Sequence, residues 1–158
     1  MANPATTVRL APVGRLLKDG HPTKVAFARD PDISLWELTV KPPGVSGGDP
    51  INITTMHNVI WETKASQALQ ALTDGSLTFA YDPVVYNQIL GLVNQEGSVT
   101  VRYSDGSTLD FFGYLGMFDP NEISRGTMPT ASGTLVTTNL DPVNEVEAGP
   151  VLTSVAGT

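Results

Sequence analysis

Residues 99–118 read VTVRYSDGSTLDFFGYLGMF, and this stretch decides the fold class. Asp105 and Gly106 stand between two runs of β-branched and aromatic residues, which is a strong short-range signal for a β-hairpin. We expect a two-residue turn here, so that Tyr103 pairs with Thr108. The stretch therefore predicts a protein built on antiparallel strands.

The expected register places apolar side chains on both faces of this hairpin. One face would carry Val99, Val101, Tyr103, Phe112 and Tyr114, and the other Leu109, Phe111, Leu115 and Met117. A sheet that is apolar on both sides must be covered on both sides, by a helix, a second sheet or a neighbouring molecule. The hairpin thus indicates either a layered core or a subunit of an assembly.

Regular elements are predicted on either side of the hairpin. The periodicity favours strands over 24–29, 35–41, 59–63, 76–81 and 130–139. Residues 83–95 are predicted to form a helix, because Asp82 can cap it and Pro83 suits its first position. Residues 65–72 could form a short second helix. The prediction is a mainly β (α+β) domain.

Three segments lack such periodicity. The predicted domain spans residues 24–140, flanked by an N-terminal arm (1–23) and a C-terminal arm (141–158) with many small residues. Within the domain, residues 42–58 form a long loop, whereas ordinary connections have a median of about 4–6 residues. Loops of this length are usually functional or disordered.

The composition favours contact with other protein. Of 158 residues only 16 % are charged, against about 25 % in typical soluble domains. The predicted helix over 83–95 carries no charge, so its outward residues Tyr86 and Leu90 could meet a neighbour. The net charge is −7, and residues 42–158 hold three basic and twelve acidic side chains. This balance disfavours tight binding of phosphate groups.

The chain offers few of the residue patterns that enzymes use for catalysis. There is no cysteine, and the two histidines, His21 and His57, lie far apart in predicted irregular segments. No phosphate-binding loop or nucleophile elbow occurs. We predict no enzyme, no metal site and no cofactor. The longest apolar run, 111–118, is too short to span a membrane, and the N-terminus lacks a signal-peptide core, which predicts cytoplasmic synthesis.

The order of these segments resembles that of a known family. TTMHN leading into VIWETK, then FAYDPVVYNQILGLVNQ, and then the hairpin continuing to DPNEISRGTMPTASGTLVTTNLDP resemble the major tail (tail tube) proteins of long, flexible-tailed bacteriophages. The resemblance spans about residues 29–150. It implies a β-sandwich or partial barrel with one flanking helix, a long loop and extended terminal arms.

The resemblance also implies a structural function in the virion. Six copies would close into a ring, and rings would stack into a hollow tube around a tape-measure protein, ending on terminator and tail-tip proteins. DNA would pass through the acidic lumen without specific binding. Glu37 and Glu62 become candidate lumen acids. The candidate inter-ring loop contains Gly47, Asp49, Ile51, Met56 and His57, and the candidate inter-subunit surface contains Tyr86, Leu90, Leu109 and Phe111.

A second class of function is a monomeric β-sandwich module that binds carbohydrate or protein. Such a module should present a compact group of aromatic side chains on an exposed face. The alternating pattern instead predicts that Trp36 and Trp61 face the core. This prediction favours the tube subunit over the binding module.

Overall fold

A computed structural model describes residues 22–29 and 35–154. Within these ranges, antiparallel strands form one main sheet of seven members. They are β1 (Lys24–Phe27), β2 (Glu37–Lys41), β7 (Gly75–Ala80), β8 (Gly97–Arg102), β9 (Thr108–Pro120), β10 (Thr130–Thr137) and β13 (Val151–Thr153). The spatial order is β1-β8-β9-β10-β7-β2, and β13 also pairs with β9. The fold is mainly β, as predicted.

The sheet curls into a half-barrel, with β1 and β2 at the two ends of the strand order. At this seam the Val25 N–H donates a hydrogen bond of 2.8 Å to Glu37 Oε1. The buried side chains from the strands and the helix make one core. Its members are Val25, Phe27, Leu35, Leu77, Phe79, Ile89, Leu92, Val99, Val101, Phe111, Leu115, Ala131 and Leu135. Of the expected sandwich or partial barrel, the chain forms the partial barrel.

The flanking helix begins where the sequence predicted and ends earlier. A 3-10 turn (Pro83–Val85) leads into α1 (Tyr86–Leu92), and Asp82 caps it by accepting a 3.0 Å hydrogen bond from the Val84 N–H. Asn94 has a positive φ of 61° and ends the helix. The expected extension to residue 95 is therefore wrong, and Gly97 begins β8.

The central hairpin has a different register from the predicted one. Gly106, at φ 91°, donates to the Tyr103 carbonyl oxygen, and the Tyr103 N–H donates to the Ser107 carbonyl oxygen. This is a type I turn followed by a one-residue bulge, which lengthens the loop by one residue. Val99 consequently pairs with Phe111 rather than with Phe112.

This one-residue shift exchanges the faces of β9, since successive side chains of a strand point to opposite sides. Phe111 becomes a core residue with 1 % exposure. It cannot belong to an inter-subunit surface of the folded subunit, and that prediction is wrong. Leu109 is half-buried and packs against the same core. Phe112 and Tyr114 are half-buried on the other face.

The region between β2 and β7 is an extended hairpin, which we call the arm (residues 44–73). Its pairs are β3 (Val45–Ser46) with β6 (Ala71–Leu72), and β4 (Ile51–Asn52) with β5 (Lys64–Ala65). The predicted strand 59–63 and helix 65–72 do not form; short strands take part of the second range. The predicted loop 42–58 is the outgoing half of this arm.

Both tryptophans are exposed, so the prediction that they face the core is wrong. Trp61 lies on the arm and is 81 % exposed. Trp36 precedes β2 and is 74 % exposed, and an irregularity between Glu37 and Thr39 interrupts the alternation of that strand.

The C-terminal segment predicted as an arm contains three short strands. β11 (Leu140–Asp141) pairs with β12 (Val146–Glu147), and β13 returns to β9 with Leu152 opposite Leu109. Residues 155–158 of that segment, and residues 1–21 of the predicted N-terminal arm, lie outside the described residues. No helix of the described ranges is long and apolar enough to cross a membrane.

Candidate assembly surfaces

The base of the arm keeps the register of the β2–β7 pairing, whereas the outer pair β4–β5 is shifted by one residue, with Ile51 opposite Ala65. Lys41 pairs with Ser76 in the main sheet, and Val45 pairs with Leu72 in the arm at the same register. Between them the Thr73 N–H donates to the Gly44 carbonyl oxygen at 2.8 Å. The arm is thus the outer part of a long hairpin whose inner part belongs to the barrel.

Large apolar side chains are exposed along this arm. We call the end of the arm, residues 54–63, the tip. Here Met56 is fully exposed, Val59 is 92 % exposed, and Ile60 and Trp61 are each about 80 % exposed. Four large apolar side chains this close in sequence exceed what scattered surface residues require, and such patches mark interaction sites. The tip therefore has the character of a binding surface.

A hydrogen-bond network holds the tip in one shape. Asn58 Oδ1 accepts from the Thr55 N–H at 3.0 Å, while Asn58 Nδ2 donates to the Trp61 carbonyl oxygen at 2.8 Å and to Thr63 Oγ1 at 2.6 Å. The Thr63 N–H in turn donates to Thr54 Oγ1. Because these bonds satisfy the backbone locally, the apolar side chains of the tip are left pointing outward.

The five residues predicted to form an inter-ring loop all lie on the arm. Gly47, Asp49, Ile51, Met56 and His57 are exposed. The Asp49 carbonyl oxygen accepts a 2.9 Å hydrogen bond from Gln67 Nε2 on the returning strand. Sequence reasoning missed the residues that follow, 59–61, because their β-rich pattern resembles that of a half-buried strand.

A second exposed apolar surface is a cleft beside the start of β2. Trp36 and Met128 stand at its rim, both more than half exposed, and Phe79 lies buried at its base. Asp82 is the charged residue of the cleft, and the remaining lining residues are Leu35, Ala80, Tyr81 and Pro83. The Phe79 ring stacks on Phe118 at a centroid distance of 5.9 Å.

Of the predicted inter-subunit residues, two remain on the surface. Leu90 is 52 % exposed on α1, and Tyr86 is 39 % exposed with its ring edge packed against Phe118 at 5.7 Å. Val84 is 79 % exposed beside them. Phe111 is buried in the barrel and Leu109 is half-buried against its core, so the four residues do not form one exposed surface.

The two candidate lumen acids lie on different elements. Glu37 is half-buried at the barrel seam, where it accepts the Val25 N–H bond, and Glu62 is exposed on the arm. The structure therefore does not bring them together. Among the described residues no group of three or more His, Cys, Asp or Glu side chains could hold a metal ion.

In the part of the chain that the structure describes, two titratable groups have shifted pKa values, and both lie away from the tip and the cleft. Burial and the Asp105 charge raise the pKa of Tyr103. The pKa of Asp141 is lowered because its carboxylate accepts hydrogen bonds from the Val143 N–H and the Asn144 side chain. The Asp141 shift follows from the hydrogen bonds of its turn, whereas the Tyr103 shift follows first from burial.

Comparison with solved structures shows a likeness in fold. No family model and no curated protein matches this sequence. A chain in the six-fold-symmetrised cryo-EM structure of the anti-feeding prophage (AFP) baseplate superposes with a TM-score of 0.55. The match covers 85 % of this chain and 92 % of that chain, at 8 % identity. The fold of this protein therefore also occurs in a chain of the AFP baseplate structure.

Proposed function

We propose that this protein is a non-enzymatic virion subunit that assembles into stacked, hexameric rings forming the tail tube of a long-tailed bacteriophage. The baseplate likeness supports a place in a tail-type assembly, and the resemblance of the sequence points to the tube. Its partners would be further copies of itself, the tape-measure protein, and the terminator and tail-tip proteins. DNA would leave through the lumen without specific binding.

The observation that carries this proposal is the arm. A hairpin that projects from the barrel with exposed Met56, Val59, Ile60 and Trp61 leaves apolar surface in water in an isolated monomer. Contact with another subunit would remove that surface from water. The low charge content also favours assembly, since few charged groups would lose their hydration when subunits come together.

Electron microscopy of the purified protein tests the proposal. We expect negative-stain images to show rings or tubes with a central channel, and light scattering to rise with protein concentration. A protein that stays strictly monomeric at high concentration, also when tail-initiation proteins are supplied, would overturn it.

One observation favours the alternative function, a monomeric module that binds carbohydrate or protein. Trp36 is exposed at the rim of a cleft that also contains Tyr81, as binding modules often present aromatic side chains. Such a module would remain monomeric and would bind its ligand with loss of affinity in Trp36→Ala.

A further inference from the structure

The tip and the cleft lie at opposite ends of the same strand pair. β2 and β7 are antiparallel, with Glu37 opposite Phe79 at one end and Lys41 opposite Ser76 at the other. The cleft contains Phe79 and lies at the first end. The arm leaves from the second end, because its ladder follows Lys41. One surface therefore lies at each end of a single long hairpin.

We propose that the tip of one copy docks into the cleft of the next copy. This inference rests on the proposed function and names the contact that would join successive rings. A contact between two different surfaces of identical subunits does not close on itself when the surfaces point in opposite directions, and it produces an open polymer. The growth direction would follow the β2–β7 hairpin.

The charges of the two surfaces permit this contact. Residues 50–61 contain no Asp, Glu, Lys or Arg, although the chain has a net charge of −7. Exposed Glu62 follows directly, and Lys64 lies two positions further along the chain, so the tip brings a single acid with a base close by in the sequence, rather than a cluster of acids, toward the acidic surface of another copy. Asp82 is the charged residue of the cleft, and its carboxylate already accepts the helix-capping bond from the Val84 N–H.

The apolar area of the tip is too small for a stable contact between two single copies, which favours a contact repeated around a ring. Three aliphatic side chains and one tryptophan offer roughly 350–600 Å² of apolar surface. A stable interface buries about 800 Å² per partner. One tip in one cleft is therefore weak, whereas several equivalent contacts between two rings act together and raise the avidity by orders of magnitude.

Hairpin length limits the distance between successive rings. From the level of Glu37 to residue 55 the chain has 18 steps, and a strand rises about 3.3 Å per residue. The cleft and the tip are thus separated by at most about 60 Å along the hairpin. An axial repeat longer than this would be incompatible with the proposed contact.

Disulfide trapping tests the contact directly, because the native chain has no cysteine. Met56→Cys puts one thiol on the tip, and Met128→Cys puts one on the rim of the cleft; both side chains are exposed. The two variants are mixed, assembled and treated with oxidised glutathione. We expect covalent dimers from the mixture and not from either variant alone. The matched control replaces Met128→Cys with Ile123→Cys, which lies in the same β9–β10 connection and is 61 % exposed.

Alanine variants give an independent measurement. Trp61→Ala and Trp36→Ala remove exposed side chains, so each variant should fold normally by circular dichroism. We expect each to raise the concentration needed for tube formation by about tenfold or more, as loss of an interface tryptophan commonly does. Leu69→Ala, on the arm but outside the tip and 80 % exposed, should leave that concentration unchanged.

The outcomes separate the contact from the proposed function. Tubes with a dimer specific to the Met56→Cys and Met128→Cys pair support both. Tubes without that dimer, or with equal yield from Ile123→Cys, overturn the contact and leave the tube function intact. An absence of rings and tubes overturns the proposed function. If the specific dimer still forms under those conditions, the contact between copies is supported. If no dimer forms either, the contact is overturned as well.

Discussion

Replacing Glu37 with alanine tests whether a side chain holds the seam of the barrel together. The Glu37 carboxylate accepts a 2.8 Å hydrogen bond from the Val25 N–H, and Val25 is 5 % exposed. Hydrogen bonds to charged groups contribute about 1.5–3 kcal/mol. Glu37→Ala removes the acceptor and leaves the Val25 N–H facing a gap in the seam. We expect the free energy of unfolding to fall by about 2 kcal/mol.

The measurement is urea denaturation of the dispersed protein, followed by far-ultraviolet circular dichroism. Tryptophan fluorescence is a poor probe here, because both tryptophans are already exposed in the folded state. With a dependence on urea of about 2 kcal/mol per molar, the midpoint should fall by about 1 M at unchanged slope.

Two controls accompany this prediction. Glu62→Ala removes the same side chain from an exposed position on the arm and should change stability by no more than about 0.5 kcal/mol. Glu37→Gln keeps a side-chain oxygen without the charge, so its midpoint should lie between those of the wild type and Glu37→Ala. The reasoning fails if Glu37→Ala unfolds at the wild-type midpoint, or if Glu62→Ala loses as much stability.

Two further predictions concern the core and the C-terminal turn. Phe111→Ala should cost about 3–5 kcal/mol of unfolding free energy because it opens a cavity, whereas Leu90→Ala on the exposed face of α1 should cost less than about 1 kcal/mol; comparable losses would contradict the register of the central hairpin. The folded-state pKa of Asp141 lies below its ordinary value of 3.8, so the stabilisation of its turn is present above pH 3.8 and is lost as pH falls through the lower folded value. Nuclear magnetic resonance should therefore show the Val143 amide signal shifting toward its random-coil position only below that pH, and a signal that is unchanged down to pH 2 would refute the assignment.

The features that sequence reasoning predicted correctly depend on neighbours within a few positions. Asp82 and Pro83 marked the start of the helix, since capping and the fixed φ of proline act locally. Alternation over residues 76–81 identified β7, whose Leu77 and Phe79 are buried. The strand over 130–139 was also found, with β10 covering most of it.

The register of the central hairpin could not be predicted in the same way. An Asp-Gly pair fits both a two-residue turn and the longer turn in which glycine forms a bulge. The choice depends on which β9 residues reach the core, where Phe111 lies opposite Val99 of β8 and shares the core with residues of β1, β7 and α1. That information is not local, and an error of one residue reversed the inward and outward faces of the strand.

The apolar residues of the tip were misread for a related reason. Reading Trp61 as inward assumes that an apolar side chain in a β-rich run meets the core of its own chain. Here the local bonds of Asn58 keep residues 59–61 out of a ladder. The low charge of the chain had already indicated contact with other protein, but composition does not say which residues make it.

Because the barrel and the base of the arm share one register as far as Val45 and Leu72, the length of this base can change only in discrete steps. An insertion on one strand alone would misalign the pairing, and one residue added to each strand would turn the tip side chains to the opposite face. Two residues added to each strand would restore the facing and move the tip outward by about 6.6 Å. Natural variants that differ only in the length of this base should therefore differ by multiples of four residues.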